Sequence, residues 1–438
     1  MKRYEKYKDS GVQWIGEIPE HWEVTNVGKA FTFGKGLPIT KADLTDDGIA
    51  VISYGQVHSK LNTGTSMDES LVRHVSERWL ETHRQNLLNK GDFAFADTSE
   101  DIEGSGNCAY NDYQGTIFAG YHIVIARPKD KNNSDYWAFQ FQCKNWRSQV
   151  QSLVNGVKVY SISKTILKKA SLLIPPVTEQ YAIVHYLKDK TLKIDQYVAA
   201  RERERELLES LKQSEIANVV TKGLNPNAPM KDSGIPWIGM IPEHWEVCRN
   251  KDIFTESKDV VGDKAGSYTL LSLTKQGVII RDLSEGKGKF PKEFNTYKIV
   301  EPGDIIFCLF DVDETPRTVG LSTHHGMITG AYDVFKVKRI LPQYILYYYL
   351  AIDDRKAMRP LYKGLRKVVP MPSFMSCKIP VPPLSEQQAI VTYIDEKLSK
   401  IDRCLADLQT EIDYLKEFKQ RLISDAVTGQ ICITNEIK

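Results

Sequence analysis

SGVQWIGEIPEHWEV (residues 10–24) returns almost unchanged as SGIPWIGMIPEHWEV (residues 233–247). From Lys8 to Val24 and from Lys231 to Val247, 14 of 17 positions are identical. A second pair of phrases lies downstream. IPPVTEQYAIVHYLKDKTLKID starts at Ile174, and VPPLSEQQAIVTYIDEKLSKID starts at Val381. The first pair is offset by 223 residues and the second by 207, so the interval between shared phrases is longer in the first half. Two near-identical frames therefore hold unlike inserts, at about 25–171 and 248–378. One structural unit, duplicated with its middle free to diverge, explains the pattern, and a two-repeat chain tends to close around a pseudo-twofold axis.

Within each frame, IPEHWEV reads as a tight start to a domain. Pro19 and Pro242 fix φ, while Trp22 and Trp245 supply large buried anchors. His21 and His244 read either as packing residues or as site residues. PP(V/L)(T/S)EQ reads as a helix start, with Thr178 or Ser385 capping free amides and an acid or amide in the first turn. No Gly or Pro follows from Thr178 to Lys222 or from Leu384 to Thr428. Each stretch suits a helix of about 40 residues, about 60 Å long.

In the second helix, Ile394, Leu398, Ile401, Leu405, Leu408, Ile412, Leu415 and Leu422 form a heptad seam, broken at Lys419. Leu187, Ile194, Val198 and Leu208 stand at equivalent places in the first, where Arg201 and Arg205 of RERERE interrupt. That run is either a solvated face with internal ion pairs or a polar break that fixes register. The expected fold class is α+β: two pseudo-twofold-related mixed lobes joined by two long antiparallel helices in a coiled coil.

The lobes read as mixed. Strands are expected at 49–54, 92–96 and 116–126 with a helix over 134–154, and at 268–273, 304–310 and 328–337 with a helix over 342–358. Gly91-Asp92 and Gly303-Asp304 precede a strand in both.

The 438 residues carry a net charge of only +2, so any nucleic-acid footprint must be local. Two such footprints stand out. From Trp137 to Thr178 there are six Lys or Arg and no acid, and from Arg355 to Leu384 there are seven and no acid. Both strips precede the PP(V/L) phrase. They contain matching glycine turns, NGVKVYS and KGLRKVV, in which Lys158 or Arg366 can meet a phosphate. Candidate DNA contacts are Lys35, Lys41, Tyr54, Gln56, Lys158, Tyr160 and Lys164 in the first lobe, and Lys264, Lys275, Gln276, Lys363, Arg366 and Lys367 in the second.

Catalytic signatures are missing: no G-x-x-x-x-G-K-[ST], no G-x-S-x-G and no H-E-x-x-H. His324-His325 is a poor metal pair, because neighbours on a strand point to opposite faces. The seven cysteines are scattered, no 18-residue apolar run occurs, and MKRYEKYKDS lacks the apolar stretch of a signal peptide. A cytoplasmic protein with reduced thiols is expected, with no membrane contact, metal or cofactor.

The paired phrases, in this order and number, resemble the DNA-specificity subunit of type I restriction–modification systems across essentially the whole chain. The resemblance implies two target-recognition domains (1–177 and 223–384, the latter with its linker), each reading half of a split duplex sequence. It implies that the helices (178–222 and 385–438 with the tail) set half-site spacing and dock two DNA adenine methyltransferase subunits. A restriction translocase subunit joins that assembly, and the chain itself is non-catalytic. The rival readings are a protein scaffold that never touches DNA and a nuclease with an unrecognised carboxylate site.

Overall fold

Alternation of large and small side chains explains the first lobe. In the computed structural model, which describes residues 2–154, 156, 159–281 and 294–433, strand Phe93–Ala96 turns Phe93 and Phe95 to one side and Ala94 and Ala96 to the other. The phenylalanines meet Phe141, at 4.9 and 5.1 Å between ring centroids, on the helical side. The alanines join a separate small-residue core with Ala109, Ala119 and Ile125. A period-2 strand can therefore serve two different layers at once.

That strand belongs to an antiparallel four-stranded sheet in the order Cys108–Tyr110, Phe93–Ala96, Ile123–Pro128, Phe31–Lys35. A mixed five-stranded sheet holds Ile49–Ile52 parallel to Ile117–Ala119. The helix expected over 134–154 is two helices, Ser134–Gln142 and Lys144–Gln151, separated by extended Cys143. The strand expected over 116–126 is likewise two, Ile117–Ala119 and Ile123–Pro128, in different sheets. His122, in the left-handed region at φ 55°, turns the chain between them.

The second lobe repeats the four-stranded order with Val319–Leu321, Ile305–Phe307, Asp333–Val337 and Phe254–Ser257. Its expected strand over 328–337 also divides, into Gly326–Ile328 and Asp333–Val337. Helix Pro342–Asp354 covers that sheet and buries Tyr344, Tyr348 and Tyr349. The repeated Gly-Asp makes the same turn in both lobes. Gly91 and Gly303 take φ of 87° and 95°, and Asp92 and Asp304 accept from the backbone N–H of Asn89 and Glu301, each at 2.9 Å.

Each lobe closes on a two-stranded ribbon that joins the repeated phrases. Glu23–Asn26 pairs with Ser171–Ile174, and Glu246–Arg249 pairs with Lys378–Val381. From these ribbons run the long helices Val177–Lys222 and Leu384–Val427. They begin one residue before Thr178 and Ser385, which stand in the first turn instead of capping it. The engaged polar residue is Gln180 or Gln387, whose Nε2 donates to the carbonyl of Pro175 or Pro382 at 2.8 Å.

The chain divides into two units, Met1–Arg201 with Thr410–Lys438, and Glu202–Gln409. Each unit takes half of each long helix. In the first, Ile194 and Val198 share a core with Ile412 and Leu422, Lys419 Nζ meets Asp195 at 2.6 Å, and Arg201 meets Glu411 at 3.1 Å. In the second, Ile216 and Val220 share a core with Ile390 and Ile394, Arg205 donates to Gln409 at 2.6 Å, and Lys212 meets Asp402 at 2.5 Å. Residue numbers rise on one helix as they fall on the other, so the halves are antiparallel within each unit.

Candidate nucleic-acid interface

The first unit gathers lysines that are far apart in sequence. Lys35 ends strand Phe31–Lys35, and Lys164 opens helix Lys164–Lys169, whose N-terminus is capped by Ser163 Oγ. Partial burial holds the Lys164 amine below its ordinary pKa, and the charges of Lys35 and Lys168 lower it further. The three cations are thus close enough to repel one another, which a phosphate would relieve. Lys168 also lies over the Phe33 ring at 5.6 Å. Lys168 is the member missed as an individual contact in sequence. It lies in the acid-free strip, but its proximity to Lys35 depends on the fold.

Tyr54 sits on the wall of a cleft of about 770 Å³ with His58, Asn107, His122 and Arg147. Its ring is 5.6 Å from Tyr121 and 5.4 Å from His122. His58 Nε2 lies 2.8 Å from the Thr98 carbonyl, which can only accept. The proton is therefore on Nε2, and Nδ1 accepts from Asn107 Nδ2 at 3.0 Å. Gln56 is tied locally, accepting from the Ser53 N–H at 3.1 Å. Lys41 is exposed in the turn Lys41–Asp43, and Tyr160 lies half-buried in a strand paired with Thr98–Ser99. Lys158 lies outside the described residues.

In the second unit, Lys275 and Gln276 form the two-residue tip of hairpin Leu271–Thr274 and Gly277–Ile280, and Lys264 is exposed on turn Gly262–Ser267. Lys363, Arg366 and Lys367 belong to a turn closed between Lys363 and Val368. This strip is acid-free along the chain but not in space. Arg366 donates to Asp311 at 2.7 Å and stacks over Phe310, while Lys367 meets Asp313 at 3.1 Å. The Asp311 bond raises the Arg366 pKa, and bonds from Arg359 and Lys367 lower that of Asp313. The 311–314 loop thus answers Arg359, Arg366 and Lys367, while Arg355, Lys363, Lys378, Lys264 and the hairpin tip remain exposed.

The seam candidates divide by burial. Leu187, Ile194, Val198, Ile394, Ile401, Leu408, Ile412 and Leu422 are buried, while Leu208, Leu398, Leu405 and Leu415 are half-buried. Arg201 and Arg205 are half-buried beside Glu411 and Gln409.

The repeated phrases also meet each other. His21 Nε2 lies 2.6 Å from Glu179 Oε1, and Trp22 Nε1 donates to Glu179 Oε2 at 3.0 Å. His244 and Trp245 contact Glu386 Oε2 at 2.8 and 3.1 Å. Both histidines thus serve the joint between opening strand and long helix. His325 pairs with Glu301 at 2.9 Å, and among the described residues no cluster of metal-ligating side chains occurs.

Residues 19–197 and 242–414 match the model of the type I restriction modification DNA specificity domain. The chain belongs to this family. The specificity subunit is 24% identical over 436 residues to a putative type I restriction enzyme MjaX specificity subunit of Methanocaldococcus jannaschii, with 95% of each chain covered. It is 23% identical over 451 residues to the MjaVIII specificity subunit of the same organism, again with 95% of each covered. A solved chain from work on complex assembly and conformational transition of the type I R-M system shares the fold, at TM-score 0.65 and 14% identity. It covers 94% of this chain and 99% of its own. The subunit's role is non-catalytic DNA sequence specificity.

Proposed function

We propose that the specificity subunit reads a bipartite duplex target, one half-site per insert, and that its two long helices fix the half-site spacing. In this reading residues 1–177 and 223–384 are the readers. Residues 178–222 and 385–438 are spacer and docking elements for two DNA adenine methyltransferase subunits, and a translocase subunit completes the complex. The observation that carries it is a frame written twice around two inserts that differ. A spacer has to be the same for both readers, and the readers have to differ if the half-sites do. DNA presents equivalent groove faces every ~34 Å, so a stiff helix pair converts length into half-site register.

The lysine cluster of the first unit supports a phosphate-positioning role. Lys35→Glu with Lys164→Glu should weaken binding to all duplexes alike and lower the salt slope, by about one unit of log K per log salt for each phosphate that is no longer neutralised. Fluorescence anisotropy from low to moderate salt reads this. An unchanged slope would remove these lysines from the interface, and no DNA binding by the assembled wild-type complex would favour the scaffold reading.

A further inference from the structure

The two units carry the same groove. In the first, a cavity of about 470 Å³ is lined by His21, Glu23, Pro175, Pro176, Val177 and Gln180. In the second, a cavity of about 300 Å³ is lined by the counterparts His244, Glu246, Pro382, Pro383, Leu384 and Gln387. Every one of these positions lies in the repeated phrases. The insert walls differ: Trp137 and Lys129 in one, Ile340 and Arg339 in the other.

A surface that reads unlike half-sites must differ between the units. A surface present twice is suited to meeting the same object twice. Each groove sets an apolar rim beside an exposed acid, with one basic side chain, Lys129 or Arg339, on the insert wall. Val177 and Leu384 are 54% and 61% exposed at the mouth, and Glu23 and Glu246 are exposed carboxylates with no ion pair among the described residues. The floor is rigid. Gln180 accepts from Asn133 at 3.1 Å, Gln387 accepts from the Leu341 N–H at 2.9 Å, and each histidine is held on its glutamate. A preformed groove lowers the ordering cost of binding.

We propose that the two grooves are docking sites for two copies of one protein partner, each inserting an apolar anchor beside a cationic side chain that answers Glu23 or Glu246. This rests on the reading that methyltransferase subunits assemble on the chain in two copies. It adds a site distinct from the helix seam.

Val177→Asp and Leu384→Asp test it without touching the histidine–glutamate joint. Aspartate is favourable in the first turn of a helix, so the fold should be kept, as circular dichroism will verify. The probe is the methyltransferase subunit of the same system, counted by mass photometry. Wild type should bind two copies, either single variant one, and the double variant none, with at least tenfold weaker affinity at the altered groove. DNA affinity of the chain alone should stay unchanged. A double variant that keeps two copies at wild-type affinity overturns the proposal. So does loss of DNA binding with two copies retained, which would give the grooves to DNA. A wild-type chain that takes up no methyltransferase defeats the underlying docking reading, before any variant is made, and this inference with it.

Discussion

Glu179 and Glu386 show what a single side chain does when a frame is used twice. Trp22 and Trp245 are fully buried, and each indole N–H has one of these carboxylates as its acceptor. Glu179 also accepts from Tyr4 at 2.8 Å, and burial with that bond raises the Tyr4 pKa well above its ordinary value, so the hydroxyl stays a donor. Glu386→Ala strands the indole donor, at a cost of about 1–3 kcal/mol, and Glu179→Ala should cost more because a third donor loses its acceptor. Urea unfolding followed by tryptophan fluorescence measures both; equal costs would argue that Tyr4 contributes nothing. The tryptophans read correctly as anchors in the sequence, but the partner glutamates lie over 140 residues away and were visible only as helix-start acids.

Lys164 yields a second test at this scale. Its amine titrates below the ordinary 10.5 in the free protein, and a bound phosphate would raise it again. The complex therefore binds more protons than its parts, so affinity falls as pH rises through the depressed pKa. Lys164→Arg, always charged, should flatten that fall between neutral and alkaline pH. The opposite outcome holds for Arg366 and Lys367. Their neutralisers at 311–314 sit about 55 residues upstream, so counting charge along the strip could not reveal the pairing.

At the scale of elements, regular periodicity was legible and chain reversals were not. The heptad spacing of Ile394–Leu422 corresponds to the buried seam. The polar interruption of the other helix's seam, at Arg201 and Arg205, is a pair of cross-helix contacts, to Glu411 and Gln409. Arg205→Leu would extend the apolar seam and remove a half-buried cation. Losing the Arg205–Gln409 hydrogen bond is offset by no longer desolvating a half-buried cation, so stability should change by no more than about 1 kcal/mol. The run 116–126 reads as one strand because apolar residues continue on both sides of Gly120, the one residue that marks the break. The break is set by close approach. Gly36 N–H bonds the Ile123 carbonyl, and a Cβ on Gly36 would stand 1.8 Å from the Gly120 carbonyl oxygen. Gly36→Ala should therefore cost about 1–3 kcal/mol as overpacking against backbone, and more if the strand junction opens. Thermal unfolding reads the loss; a wild-type midpoint would show that the junction yields freely.

For the whole molecule, duplication with divergence was the most legible feature, and it dictates how function can be taken apart. The frame elements recur with matching geometry: ribbon, proline-led helix and histidine–glutamate joint. The inserts keep a shared sheet order and the Gly-Asp turn, while their other turns, charges and clefts differ. If each insert is a reader, exchanging residues 25–171 for the insert of a relative with another target should change one half of the methylated sequence. The other half and the spacer should stay as they were. The joint should accept the exchange if the incoming insert keeps the register of the Glu23–Asn26 and Ser171–Ile174 ribbon at its two ends and supplies a buried donor to Gln180, as Asn133 does here. Single-molecule methylation mapping of the assembled complex gives the answer directly. A change in both halves would mean that the inserts act jointly on one site, and a change in spacer length alone would move the measuring function from the helices into the lobes.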